Sequence, residues 1–182
     1  EEVKEKKKSR KKLEFKPGSK FCYSNGDTYL LARIVSKVYN KPFTQLCYEK
    51  IFLPLEIGFP IWGCDPMGYC TAASELSLSV EEMNRLGILF LNNGVYKGKR
   101  IISEAYVKAC STTQIKTNED HWGDYSYQFW MTEGEGYRAD GAFGQITFIW
   151  PKYNLTLSFQ RPEDDNLGRV LEILREEVLS KL

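Results

Sequence analysis

The chain has 182 residues, of which 42% are hydrophobic and 27% charged, enough for one globular domain with a sizeable core and unlike a disordered or collagen-like chain. A net charge of +1 gives no overall electrostatic case for a nucleic-acid partner or a membrane surface, and no run of 18 or more apolar residues offers a membrane span. Five cysteines (Cys22, Cys47, Cys64, Cys70, Cys110) without a CxxC pair, and a single histidine, give no metal-ligand spacing.

Glu1 to Lys12 holds seven basic and three acidic residues and reads as a charged linker or exposed helix face over 1–13, with no aromatic residues interleaved as a nucleic-acid arm would have. A globular portion is expected over 14–182. Lys16-Pro17-Gly18-Ser19 is a turn signal, and Lys20 to Tyr23 reads as a short extended segment. Gly26 and Asp27 then open a helix whose Leu30, Leu31, Ile34, Val35 and Val38 keep the 3.6-residue period up to Asn40. A second short helix is expected from Pro42 to about Leu53-Pro54. Glu56 to Ala73 has no clean period, and its Phe59, Trp62 and Tyr69 suit a cleft wall as well as they suit packing.

Ser79 with Glu82 forms a capping box for the next helix, which Asn93-Gly94 stops. Val95 to Ile102 reads as a hairpin turning at Lys97-Gly98, and Ser103 caps a further helix. From Tyr125 the period becomes two: strands are expected over Tyr125–Met131, Tyr137–Asp140, Gln145–Trp150 and Leu155–Phe159, the last pair joined as an antiparallel hairpin. Leu167, Val170, Leu171, Leu174 and Val178 give a terminal helix one apolar face with which to cover the sheet. Helices, then a meander, then a helix describe an α+β fold: an antiparallel sheet covered by helices.

The cysteines are expected to be small buried thiols of a reducing compartment, which slightly favours a cytoplasmic location; Cys64 and Cys70 sit in a Gly- and Pro-containing loop and could bridge in an exported protein. A Ser-His-Asp triad would need His121, which lies in a polar loop, and no Gly-x-Ser-x-Gly elbow presents a serine. P-loop and Rossmann glycine patterns are missing too, so no cofactor is expected. Two segments remain. Pro17-Gly18-Ser19-Lys20-Phe21-Cys22-Tyr23-Ser24-Asn25 places a phenol and a carboxamide two residues apart just before a helix. Tyr137-Arg138-Ala139-Asp140-Gly141-Ala142-Phe143-Gly144-Gln145 places glycines at a strand end, where a substrate backbone could lie.

The first segment resembles the second motif of class C β-lactamases and related esterases, amide hydrolases and penicillin-recognising peptidases, with Tyr-x-Asn in the place of Ser-Asp-Asn. Tyr127 to Trp130 and Asp140 to Gln145 resemble strands around the third motif, and Asn93 to Ile102 resembles a helix-to-hairpin connection of that superfamily. The resemblance implies a serine hydrolase that forms an acyl-enzyme on a small amide, ester or peptide. It implies that Tyr23 transfers protons beside a lysine, that Asn25 bonds the substrate amide, that Gly141 lets substrate approach, and that the Ala142 N–H is half of an oxyanion hole.

Two departures qualify the resemblance. Ala139 stands where Lys or His is usual, and Asp140 stands where Thr or Ser is usual; an unpaired carboxylate there would repel a substrate carboxylate, unless it pairs with Arg138, is satisfied by backbone donors or favours an amine-bearing substrate. The Ser-x-x-Lys nucleophile motif is missing as well, because Ser9-Arg10-Lys11-Lys12 matches its letters without the apolar residues of a buried helix. The expectation is therefore the C-terminal portion of such a domain, holding half an active site and exposing a sheet edge that pairs with an absent N-terminal part or a second copy. The alternative is a non-catalytic binding or sensor module that retains the cleft. A weaker third reading is an interaction protein that uses the basic arm.

Overall fold

The computed structural model describes residues 15–117, 123–160 and 167–182. The charged N-terminal run, the Ser9 to Lys12 match and His121 lie outside the described residues. Helix α1 spans Asn25–Tyr39, begun by extended Ser24 and ended by Asn40 in the left-handed region (φ 49°), where Asn is tolerated. Helix α2, Phe43–Cys47, starts after Pro42 and runs on through a wide turn over Tyr48–Phe52 and a tight one over Leu53–Leu55. Strands β1 (Ile61–Trp62) and β2 (Leu76–Ser77) form a small antiparallel pair beneath the long loop.

Helix α3 spans Val80–Leu91 and carries the expected capping box: the Ser79 hydroxyl accepts from the Glu82 N–H, and the Glu82 carboxylate accepts from the Ser79 N–H. Strands β3 (Val95–Tyr96) and β4 (Lys99–Arg100) form the expected hairpin, with Lys97 and Gly98 both at positive φ, as a mirror-image turn requires. Helix α4, Glu104–Cys110, is capped by Ser103.

The main sheet runs β5 (Trp130–Thr132), β6 (Gly136–Asp140), β7 (Ile146–Trp150), β8 (Leu155–Phe159), antiparallel throughout. Alternation decides its two faces. Ile146, Phe148 and Trp150 point with Leu155, Leu157 and Phe159 toward helix α5 (Leu167–Ile173) and its continuation, where Leu174 completes the cluster. On the other face Thr147, Thr156 and Ser158 meet α3, which comes so near that a Cβ on Gly87 would collide with Thr156 Oγ1 and Thr147 Cγ2. A second core, of Phe52, Leu55, Ile57, Leu89 and Tyr96, joins the α2 turns to α3. The result is the α+β arrangement expected from the sequence, with the sheet held between helices.

Two expectations need correction. Tyr125–Met131 is not one strand. Tyr125 pairs with Ile115, and 126–129 then close on themselves, with the Ser126 N–H donating to Phe129 O at 2.9 Å and Gln128 at φ 67°. Ser126 Oγ donates to Cys110 O at 2.6 Å, so a tertiary side-chain bond to the end of α4 outweighs the extended preference of the aromatics. The cysteines are not uniformly buried either, since Cys22 and Cys64 are exposed. The helix α1 forms as expected, but its apolar face is not covered by the described residues: Leu30, Leu31, Ile34 and Val38 are 57%, 53%, 57% and 74% exposed, and Ala32 alone in that helix is buried.

Candidate active site

The β5–β6 ladder ends at the pair Trp130–Arg138, so Ala139 and Asp140 extend beyond β5. Beside them lies a cleft of about 150 Å³ whose lining includes Tyr23, Asn25, Tyr125, Gln128, Trp130 and Asp140. Two segments more than a hundred residues apart in sequence therefore meet in one place. Tyr23 is held by its ring, which stacks on Trp130 at 6.0 Å and meets Tyr125 edge-on at 6.2 Å; Phe21 packs on Trp130 at 5.8 Å and on Tyr125 at 5.0 Å. Asn25 is the first residue of α1, and on the next turn Thr28 Oγ1 donates to Gln128 Oε1 at 3.2 Å, tying the helix start to the turn before β5.

The opposite wall is Ala72 and Ala73, from the end of the long loop. Ala72 (φ 58°) and Gln128 (φ 67°) both hold left-handed backbone conformations that cost a residue with a Cβ energy, and both border the cleft. Such strain tends to be kept where a site needs its geometry fixed. Nothing in a one-dimensional reading signals it, since Ala and Gln carry no turn preference.

The electrostatics are quiet. Arg138 Nε donates to Asp140 Oδ2 at 2.9 Å, with the two side chains 1% and 8% exposed, and Arg138 NH1 also donates to Met131 O at 3.1 Å. Of the choices the sequence left for Asp140, ion pairing is the one observed, so the carboxylate does not stand in the cleft as an unpaired charge. Burial, with Tyr23 and Asp140 adding to it, pushes the Tyr125 phenol up to about 12, so Tyr125 stays protonated through the neutral range. No Lys or Arg is among the lining residues described, so the lysine expected beside Tyr23 is not one of them.

Gly141 and Ala142 are placed differently. They form the β6–β7 turn next to Asp140 and are not among the cleft's lining residues. The Gly141 N–H is committed to Gln145 O at 2.9 Å, while Ala142 is exposed. A second, larger hollow of about 590 Å³ lies beneath α1, bordered by Arg33, Lys37, Lys41, Phe43 and Tyr69. Among the described residues no cluster of three or more His, Cys, Asp or Glu could hold a metal, and no helix is long and apolar enough to cross a membrane.

Comparison with known proteins places the fold. No curated protein matches the sequence. Among solved structures, the chain is similar to a Bacillus anthracis protein assigned as a 6-aminohexanoate-dimer hydrolase, with a TM-score of 0.71 and 24% identity, covering 88% of this chain and 44% of that one. It is similar to a β-lactamase from Mycobacterium bovis, with a TM-score of 0.69 and 17% identity, covering 89% and 66%. It is also similar to an octameric penicillin-binding protein homologue from Pyrococcus abyssi, with a TM-score of 0.65 and 17% identity, covering 88% and 43%. The chain thus spans roughly half the length of these structures and carries part of their fold. The beta-lactamase family model matches residues 6–165, most of the sequence, and the chain belongs to the beta-lactamase family.

Proposed function

We propose that the intact protein is a serine-acylating hydrolase acting on a small amide, ester or peptide, and that this chain supplies one wall of its active site. The observation that carries the reading is the meeting of Tyr23, Asn25 and Asp140 at a cleft bordered by two strained residues. In this reading Tyr23, the more exposed phenol of the pair, relays the proton between the serine nucleophile and the leaving group, while Tyr125 remains a donor. Asn25 bonds the acyl-side amide, Asp140 orients the strand end through Arg138, Gly141 leaves room for substrate, and the exposed Ala142 N–H is half of the oxyanion hole.

The nucleophile, a serine followed one turn later by a lysine, would come from polypeptide outside these residues. That lysine would share the handling of the serine proton with Tyr23. The uncovered face of α1, and strand β8, whose only ladder partner among the described residues is β7, are where this further part, or failing it a second copy, would pack. No cofactor enters the reaction so written. Ala139 in place of a basic residue favours the second reading, a binding or sensor module that kept the cleft without the chemistry.

The experiment is intact-mass analysis after incubation with a fluorophosphonate and, separately, with a penicillin. It compares this 182-residue chain with a polypeptide extended upstream. Half an active site predicts no adduct on the chain and one serine adduct on the longer form, reduced at least about tenfold in rate by Tyr23→Phe. A stoichiometric adduct on the shorter chain would overturn the assignment of the nucleophile. A longer form that stays unlabelled would leave the binding module as the function.

A further inference from the structure

The long loop before β2 contains a feature independent of the hydrolase reading. Within Gly63–Thr71 the chain doubles back, and Cys64 stands directly opposite Cys70 as an antiparallel pair. The Asp65 N–H donates to Tyr69 O at 2.8 Å and the Thr71 N–H donates to Gly63 O at 3.0 Å, so the two hydrogen bonds lie on either side of the cysteine pair rather than between its members. That makes it a non-hydrogen-bonded position, where facing Cα atoms approach to about 4.5 Å and side chains leave the ribbon on the same face. Disulfides need Cα atoms about 4.4–6.8 Å apart. The backbone thus already has the spacing a bridge requires, while both sulfurs are free thiols.

The two thiols differ in access. Cys64 is exposed, whereas Cys70 is only 6% exposed. A soluble oxidant therefore meets Cys64 first. Cys47, on α2, is another thiol near Cys70; burial raises both thiols, Cys47 to about 11, so the cross-strand alignment and not acidity singles out Cys64 as the partner of Cys70. The ribbon is also tied to the candidate site. Tyr29 of α1 donates to Asp65 Oδ2 at 2.7 Å, Arg33 lies over the Tyr69 ring, and two residues after Cys70 comes Ala72, at the cleft wall.

We propose that Cys64 is a thiol-modification site for low-molecular-weight disulfides such as oxidised glutathione, and that Cys70 resolves the adduct into a cross-strand bridge fixing the loop that carries Ala72 and Ala73. The Cys64 thiolate attacks one sulfur of oxidised glutathione, forming a mixed disulfide and releasing one glutathione thiolate. Cys70 loses its proton to solvent and attacks the Cys64 sulfur, releasing the second glutathione. Two cysteine thiols are oxidised and one glutathione disulfide is reduced to two thiols.

The sequence makes the test direct. Trypsin cutting after Lys50 and Arg85 yields a single peptide, Ile51–Arg85, which holds Cys64 and Cys70 and no other cysteine. The full chain is incubated with oxidised glutathione, or with a phosphine reductant, then alkylated with iodoacetamide, digested and weighed. The expected result is loss of both alkylations from Ile51–Arg85, which becomes lighter than its unalkylated reduced form by two hydrogens. Cys70→Ser is expected to trap one glutathione on the same peptide, and Cys64→Ser to leave Cys70 alkylatable after denaturation. Retention of two free thiols in that peptide under glutathione oxidation would overturn the proposal. So would a cross-link from Cys70 to the peptide containing Cys47. Because the readout is covalent mass, it stands or falls separately from the search for a serine adduct.

Discussion

The C-terminal sheet and the first helix each carry a periodic apolar face, yet the two faces end in opposite environments. In the sheet, Phe148 and Trp150 are 0% and 1% exposed, with their rings stacked at 5.0 Å under a helix supplied by the same chain. In α1, Ile34 and Val38 are 57% and 74% exposed, although their spacing is that of a helix built to be buried. The sheet completes its own packing. Helix α1 has an inward-type face with nothing described against it, and what ties it to the rest of the chain is its contact with α2 and the bonds of Tyr29 and Arg33 to the long loop.

That difference can be broken at its strong end. Phe148→Ala removes a fully buried ring between β7 and the terminal helix and is expected to cost about 3–5 kcal/mol in urea denaturation. Gly87→Ala forces a Cβ against Thr156 and Thr147 where α3 meets the sheet. It is expected to cost about 1–3 kcal/mol, or less if the two threonines shift. A loss near zero would show that the α3–sheet contact is looser than the sheet's other side.

The weak end can be sharpened by pH and by substitution. The Asp65 carboxyl is held below the usual carboxylate range, chiefly by the Tyr29 hydroxyl and then by the Tyr69 N–H. A folded value below the unfolded one means that the stabilisation is present above the unfolded value, about 3.9, and is lost as pH falls through the folded one. Asp65→Asn is therefore expected to lower the thermal midpoint at neutral pH, with the gap to the unmodified protein closing below about pH 4. A pH-independent gap would mean that Asp65 acts by turn geometry alone. The smallest effect is expected for Ile34→Ala, within about 0.5 kcal/mol in this chain by the same urea measurement. A loss comparable with that of Phe148→Ala would show that α1 already has a covering partner.

Local chemistry was the most legible part of the sequence. The Ser79/Glu82 box, the Lys97-Gly98 turn and the alternating Leu155, Leu157 and Phe159 each depend on residues within a few positions of one another, and each appears as read. The union of Tyr23 and Asn25 with Asp140 was legible through the order of motifs, because no spacing rule links segments so far apart. Two features could not be read, and a third was left open. The turn at 126–129 depends on Ser126 reaching the carbonyls that end α4, a tertiary bond invisible to periodicity. The exposure of α1 depends on what lies outside it, and an amphipathic pattern records only what the helix is shaped to meet. The pairing of Asp140 with Arg138 was one of three alternatives the sequence offered, and only the fold chooses among them, by burying both side chains on one face of β6.

The left-handed turn at Gln128 has a consequence for how far β5 runs. By the register Trp130–Arg138, a β5 extended backward would set Phe129 against Ala139 and Gln128 against Asp140, zipping the sheet shut along the cleft. With φ at 67°, Gln128 steers the chain away two residues early. A single backbone dihedral thus sets where β5 ends, so the length of the β5–β6 ladder is fixed by one residue's conformation and not by the strand preference of the aromatic residues around it.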